Sequence, residues 1–104
     1  MSQDSRVVRR QAVIVNAWGL HLRPADKFVS VAKRFQSEIR VYFNGRETDG
    51  KSILDLSTLA ANCGSVLEIE GRGVNAEAAV AALCELVDAH FYEDDEGQSV
   101  ERPS

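Results

Sequence analysis

The 104-residue sequence lacks several features that mark proteins of membranes, of the cell exterior or of nucleic-acid complexes. No apolar run approaches the roughly 18 residues of a membrane span. Residues 1–10 contain no apolar signal-peptide region. Basic residues are outnumbered, 12 against 16 acidic ones, and a net charge of −4 gives no general attraction for nucleic acid or an anionic membrane. We therefore expect a cytoplasmic protein that inserts into no membrane and binds no nucleic acid.

Cysteine and histidine are scarce, with two of each. Cys63 and Cys84 fit neither a metal-ligand spacing nor a disulfide framework, and their apolar or small neighbours predict buried free thiols on helices. His90 is expected near the end of the last helix, where a cation suits the helix dipole, and we interpret it as structural. The sequence predicts no metal site and no cofactor.

The patterns that are present indicate one small domain. Strands are predicted at residues 7–15, 38–43, 46–49 and 65–70, with Asn44-Gly45 as a hairpin turn. Helices are predicted to begin near residues 21, 52 and 75, and Gly64 is expected to end the second one after an apolar face that includes Leu59 and Cys63. The order βαββαβα, with an amphipathic stripe on each helix, predicts an α+β fold of two layers: one antiparallel sheet with the helices on one face.

The domain is expected to span residues 7–92. Residues 1–6 are predicted to form a flexible N-terminus. Residues 93–104 are acidic and have too little apolar surface to order themselves, so they are predicted to form a disordered tail.

Residues 16–25, Asn-Ala-Trp-Gly-Leu-His-Leu-Arg-Pro-Ala, carry the candidate chemistry. A glycine turn ends the first strand and places His21 where a helix begins, and Pro24 fits the first helical turn. A helix start presents unpaired N–H groups and the positive end of the dipole, so it binds anions, and the Arg23 guanidinium suits phosphate oxygens. A nucleophilic imidazole in this setting predicts a site that accepts a phosphoryl group and passes it on. The alternative is a capping or surface histidine.

The ordered motif Gly19-Leu20-His21-x-Arg23-Pro24-Ala25 resembles the active-site motif of HPr, the family of histidine-containing phosphocarriers of the phosphoenolpyruvate-dependent sugar phosphotransferase system. The resemblance covers about residues 7–91. A second motif, Lys51-Ser52-Ile53-Leu54, lies where members regulated by a serine kinase carry their target serine. The resemblance implies a four-stranded open-faced sandwich with strand order 1-4-2-3 and three helices on one face. It also implies a monomeric phosphoryl carrier rather than an enzyme.

The resemblance also implies a role for each motif. His21 would accept the phosphoryl group on Nδ1 from enzyme I, which phosphoenolpyruvate charges, and pass it to the A domain of a sugar permease. Arg23 would stabilise the phosphoryl charge. Ser52 would be the target of an HPr kinase/phosphorylase, although a plain helix cap is the alternative. The residues implied to contact partners, with core packing as the alternative for the last two, are Leu20, Leu22, Ile53 and Leu54.

Two residues depart from the family pattern. Trp18 stands where many members carry a small polar residue. Asp26 is expected to bring a carboxylate into the first helical turn, where it suits the dipole but repels a phosphoryl group. Two other functions stay open: an HPr-like regulatory protein that feeds no sugar permease, and a non-catalytic α+β interaction module. A hydrolase that uses His21 as a base is disfavoured, because no nucleophile has a supporting motif.

Overall fold

The computed structural model describes residues 6–92. The predicted acidic tail and residues 1–5 of the predicted N-terminus therefore lie outside the described residues. Arg6 is described, and its carbonyl oxygen accepts a hydrogen bond from the Gly73 N–H at 3.0 Å.

The elements follow the predicted order βαββαβα, with a short 3₁₀ turn added at the end. The strands are β1 (Val7–Val13), β2 (Glu38–Phe43), β3 (Arg46–Asp49) and β4 (Val66–Arg72). The helices are α1 (Leu22–Ala32), α2 (Ile53–Ser57) and α3 (Ala76–Asp88), followed by the 3₁₀ turn His90–Tyr92.

The strands form one antiparallel sheet in the order β1-β4-β2-β3, which confirms the fold class. Val13 pairs with Val66 at one end of the sheet, and Val7 pairs with Arg72 at the other. Because side chains alternate between the two faces of a strand, β4 directs Leu67 and Ile69 into the core. The helices cover that face, and charged side chains line the other.

The core lies between the sheet and the helices. Phe28 of α1, Leu56 of α2 and Leu83 of α3 are among its fully buried side chains. The predicted buried stripe of the third helix is confirmed, since its four members are buried: Ala76, Val80, Leu83 and Val87.

The second helix is shorter than predicted. Thr58 donates its hydroxyl to the Asp55 carbonyl oxygen at 2.6 Å, and Arg46 donates to the Thr58 carbonyl oxygen at 3.0 Å. These side chains satisfy carbonyl groups that a longer helix would have used, and Ala60 then takes a φ of +53°. Leu59 is buried outside the helix, and Gly64 lies in the turn before β4 rather than at a helix end.

This shortening corrects the interpretation of one cysteine. Cys63 is exposed in the turn before β4, so the predicted buried thiol on a helix is wrong. Cys84 lies on α3 and is half-buried, and burial raises the pKa of its thiol above the ordinary value.

Candidate functional site

A closed turn ends the first strand. The Gly19 N–H donates to the Asn16 carbonyl oxygen at 3.2 Å, and the Asn16 side-chain Nδ2 donates to the Gly19 carbonyl oxygen at 2.8 Å. Asn16 is fully buried. The turn is fixed to the loop before β4, because the Leu20 N–H donates to the Ala61 carbonyl oxygen at 2.8 Å.

His21 follows this turn as the N-cap residue of α1. Its backbone is extended, with φ −106° and ψ −166°, and its carbonyl oxygen accepts the first helical hydrogen bond, from the Ala25 N–H at 2.9 Å. The imidazole is exposed and makes no capping hydrogen bond to the helix. His21 is therefore not a capping histidine, and its side chain faces solvent beside the helix start.

The start of α1 is suited to binding an anion. Leu22 and Arg23 are its first two residues, and their N–H groups precede the first helical hydrogen bond, so they have no acceptor within the helix. Pro24 is buried at the third position and has no N–H to leave unpaired, which confirms its predicted place. An exposed imidazole, two N–H groups and the exposed Arg23 side chain therefore share the positive end of the helix dipole.

Asp26 lies farther along the helix than predicted. Since α1 begins at Leu22, Asp26 falls in the second turn, and the first turn contains no acidic residue. The expected carboxylate in the first turn is therefore wrong.

Ser52 is the N-cap residue of α2, and its Oγ accepts a hydrogen bond from the Asp55 N–H at 3.2 Å. The Asp55 carboxylate reaches past Ser52 and accepts from the Asp49 N–H at 3.2 Å. The Asp49 carboxylate accepts from the Lys51 N–H at 2.9 Å, and Lys51 Nζ donates to the Phe35 carbonyl oxygen at 2.8 Å. Ser52 is thus a half-buried cap between two carboxylates, on a helix that packs against α1.

The four apolar residues that are predicted to contact partners differ in their exposure to solvent. Leu22 and Leu54 are 58% and 73% exposed, and Ile53 is half-buried. Leu20 is only 3% exposed because its side chain joins the core, so its predicted surface position is wrong. Trp18 is 68% exposed at the turn.

Asn16 was not singled out from the sequence. An asparagine that directly precedes a glycine turn is a typical turn residue, and only its complete burial shows that its amide helps to build the site. Across residues 6–92, no group of three or more His, Cys, Asp or Glu side chains could hold a metal ion. Among the same residues, no helix has the length and apolar character that crossing a membrane requires.

Comparisons with known proteins agree with this architecture. A family model described as the phosphorylation site of the phosphotransferase-system HPr component matches residues 8–89. The phosphocarrier protein HPr of Neisseria meningitidis is 38% identical over 87 residues, which cover 84% of this chain and 98% of that protein. The phosphocarrier protein NPr of Shewanella violacea is 37% identical over 86 residues, with 83% and 94% covered. The crystal structure of HPr-C-His from Thermoanaerobacter tengcongensis gives a TM-score of 0.80 at 33% identity, covering 84% of this chain and 98% of that one.

The fold and these relatives define the class: the protein is a phosphocarrier, not an enzyme. Within that class, the chain belongs to the HPr family of the phosphoenolpyruvate-dependent sugar phosphotransferase system.

Proposed function

We propose that His21 is the residue of this phosphocarrier that accepts the phosphoryl group, and that Arg23 stabilises it. One observation carries the proposal: the His21 imidazole is exposed and unused as a cap at a helix start that offers two N–H groups and a guanidinium. An anion bound there gains from the dipole and from hydrogen bonds to charged and neutral donors.

The transfer step needs only a neutral imidazole. The lone pair of Nδ1 attacks phosphorus while the bond from phosphorus to the donor breaks, and Nε2 carries the ring proton. The first turn of α1 contains no carboxylate that could activate water against the new P–N bond. The proposed carrier role requires that the phosphohistidine hydrolyse slowly enough to reach an acceptor.

The proposed partners are enzyme I as donor and the A domain of a sugar permease as acceptor, in the cytoplasm. A monomeric carrier that serves two partners in turn needs a histidine that both can reach. The exposed side chains of Leu22 and Leu54 provide an apolar rim for such contacts. Trp18 adds a large exposed ring at the turn that precedes the histidine.

Ser52 is proposed as a regulatory phosphorylation site for an HPr kinase/phosphorylase. Its hydroxyl is half-buried and caps α2 through the Asp55 N–H. A phosphate there would place a dianion on the helix that packs against α1 and weaken docking to an acidic partner surface.

The test is incubation with labelled phosphoenolpyruvate and enzyme I, followed by acid or alkali treatment. A phosphohistidine is acid-labile and alkali-stable, so the label should disappear only in acid. His21→Ala should lose all label while remaining folded, whereas His90→Ala should be labelled like the parent. Persistent labelling of His21→Ala would contradict the assignment.

Arg23→Ala tests the second role. The variant should remain folded because Arg23 is exposed, and transfer should slow roughly tenfold through loss of one charge-assisted contact. Arg34→Ala, which removes an exposed arginine beyond the other end of α1, is the matched control. Equal rates for the two variants would show that Arg23 has no part in the transfer.

A further inference from the structure

Asn16 differs from the other buried polar side chains of the described residues. Its Nδ2 donates to Gly19, but its Oδ1 is buried and has no hydrogen-bond partner there. The others are all bonded: Ser37 to the Val74 carbonyl oxygen, Thr48 to the Val41 carbonyl oxygen, and Glu70 to Arg9 and Tyr42.

Closing the turn does not by itself explain this amide. Burial of an unbonded oxygen lowers stability, so the Asn16 bond to Gly19 is kept at a cost. A buried polar atom left unbonded beside a functional residue calls for an explanation, and we look for it in what the Nδ2 bond does for the site.

The Gly19 carbonyl oxygen indicates what that role is, because it accepts two hydrogen bonds. Asn16 Nδ2 lies 2.8 Å away, and the His21 backbone nitrogen lies 3.2 Å away. The His21 bond spans only the three residues of a γ-turn and is the longer of the two, so it is the more easily given up. A phosphoryl group on the His21 imidazole would offer the same N–H a stronger, charged acceptor.

We propose that Asn16 is a positioning residue for phosphoryl transfer. Its amide keeps the Gly19 carbonyl oxygen bonded, so the His21 N–H can move to a phosphoryl oxygen without leaving a buried carbonyl unpaired. The inference rests on the proposed acceptor role of His21. Asn16 acts through Gly19 and lowers the free energy of the phosphohistidine relative to the unmodified protein.

Two variants remove the donor in different ways. Asn16→Ala deletes the amide, and Asn16→Asp keeps its shape but replaces Nδ2 with an oxygen. The matched control is Ser37→Ala, which also deletes a buried side-chain donor to a backbone carbonyl. Ser37 and Val74 join the loops at the end of the sheet opposite His21, so this control reports the cost of a lost buried bond alone.

The experiment uses the full chain, phosphorylated chemically with phosphoramidate so that no protein donor is involved. The first measurement is the chemical shift of the His21 amide proton before and after phosphorylation. In the parent and in Ser37→Ala, this proton should move downfield as it passes to the phosphoryl group. In Asn16→Ala and Asn16→Asp, the movement should be lost, because Gly19 then has only His21 as a donor.

The second measurement is the hydrolysis rate of the phosphohistidine at neutral pH. A phosphoryl group that lacks the hydrogen bond from the His21 N–H keeps more negative charge on its oxygens. This charge favours protonation of the imidazole, and a protonated imidazole leaves more readily when water breaks the P–N bond. Loss of one hydrogen bond should speed hydrolysis roughly fivefold in both Asn16 variants and leave Ser37→Ala unchanged.

Three other results would each contradict a specific proposal. Asn16 variants that match Ser37→Ala in both measurements, with only their stability lowered, would overturn the proposal. A parent chain that phosphoramidate leaves unmodified at His21 would contradict the proposed acceptor role of His21, and the Asn16 proposal with it. A parent modified at His21 but not labelled by enzyme I would contradict the proposed donor while leaving the Asn16 result standing.

Discussion

Gly19 and Gly45 have nearly the same backbone conformation, with φ values of +78° and +79°, but very different surroundings. A Cβ on Gly19 would lie 2.4 Å from the Ala61 carbonyl oxygen and 2.9 Å from the Asn62 Cα, both of which belong to the backbone. A Cβ on Gly45 would meet no atom within 4 Å. Gly19 is therefore required for close approach as well as for its conformation.

Alanine at each glycine separates these two requirements. Gly45→Ala should cost about 1–2 kcal/mol of unfolding free energy, the price of a left-handed conformation. Gly19→Ala should cost about 1–3 kcal/mol more, because the turn must move away from residues 61–62. Urea unfolding at pH 7 measures both values. Equal losses would mean that the loop yields without strain and that only φ matters.

Trp18 is the second residue whose surroundings decide its role. An indole that is 68% exposed contributes little to the core, so Trp18→Ser should change the unfolding free energy by about 0.5 kcal/mol or less. The same change should alter phosphoryl transfer, because the ring stands at the turn that leads to His21.

The fluorescence of the parent provides the measurement, since Trp18 is the only tryptophan. Phosphorylation should change the emission of the parent and leave that of His21→Ala constant. Fluorescence that does not respond to phosphorylation, together with a stability loss of several kcal/mol for Trp18→Ser, would show that the indole is structural.

At the scale of elements, the short helix α2 (Ile53–Ser57) depends on its cap. Ser52→Ala removes the acceptor for the Asp55 N–H and should cost about 1 kcal/mol. Ser52→Asp supplies a new acceptor, but the carboxylates of Asp49 and Asp55 already bind N–H groups beside it. Their repulsion offsets the gain from the dipole, so we expect stability close to that of the parent.

The functional expectation for Ser52→Asp is slower labelling of His21 by enzyme I. Initial rates are compared among the parent, Ser52→Ala and Ser52→Asp, and urea unfolding of each variant shows whether a rate difference follows stability. Labelling of Ser52→Asp at the parent rate would leave Ser52 as a cap without a regulatory role.

The elements also show how far the sequence predicts this fold. Apolar residues that recur with periods of 2 and 3.6 residues predict the order of strands and helices, because they show which side chains face the core. Only the family resemblance implies the strand order 1-4-2-3, since pairing between distant strands leaves no local pattern. Long-range contacts also account for two of the errors. Arg46 bonds Thr58 where α2 ends early, which leaves Cys63 exposed. The Leu20 N–H bonds the Ala61 carbonyl oxygen, where the Leu20 side chain lies in the core.

The candidate site also has features that the sequence predicts and features that it does not. The Gly-x-His-x-Arg-Pro motif predicts the place of His21, because a glycine turn and a helix start are local features. Neither the burial of Asn16 nor the close approach of Gly19 to residue 61 could be predicted, since burial of a polar turn residue has no local pattern and residues 19 and 61 are more than 40 positions apart.

At the scale of the whole molecule, the exposed face of the sheet is held by a charge cluster that joins three strands. Glu70 is 1% exposed and accepts hydrogen bonds from Arg9 Nε at 3.0 Å and from the Tyr42 hydroxyl at 2.9 Å. Arg72 adds an ion pair at 3.5 Å, and the Arg9 guanidinium lies 5.7 Å from the centre of the Tyr42 ring. Side chains from β1 (Val7–Val13) and β2 (Glu38–Phe43) thus cover a carboxylate of β4 (Val66–Arg72).

Because of these contacts, the free energy of unfolding depends on pH. Burial raises the pKa of Glu70, but the hydrogen bonds from Tyr42 and Arg9 and the arginine charges outweigh it, so its pKa lies below the ordinary 4.5. Burial, followed by the bond to Glu70, raises the pKa of Tyr42. Because the Glu70 pKa is lower in the folded state, its contribution to stability is complete above the ordinary value. That contribution is lost as pH falls from 4.5 through the folded value.

Glu70→Gln tests this coupling through the unfolding free energy measured in urea between pH 7 and pH 3. At pH 7 the unfolding free energy of the variant should be about 2 kcal/mol lower than that of the parent, because the hydrogen bonds from Arg9 and Tyr42 then reach a neutral amide instead of a carboxylate. As pH falls below 4.5 the difference from the parent should shrink, because the unfolded parent takes up a proton on this carboxyl before the folded parent does. The control is Glu77→Gln, whose exposed ion pair with Arg6 at 3.6 Å should contribute little at any pH. A Glu70→Gln curve that stays parallel to the parent down to pH 3 would show that the carboxylate contributes through packing and not through its charge.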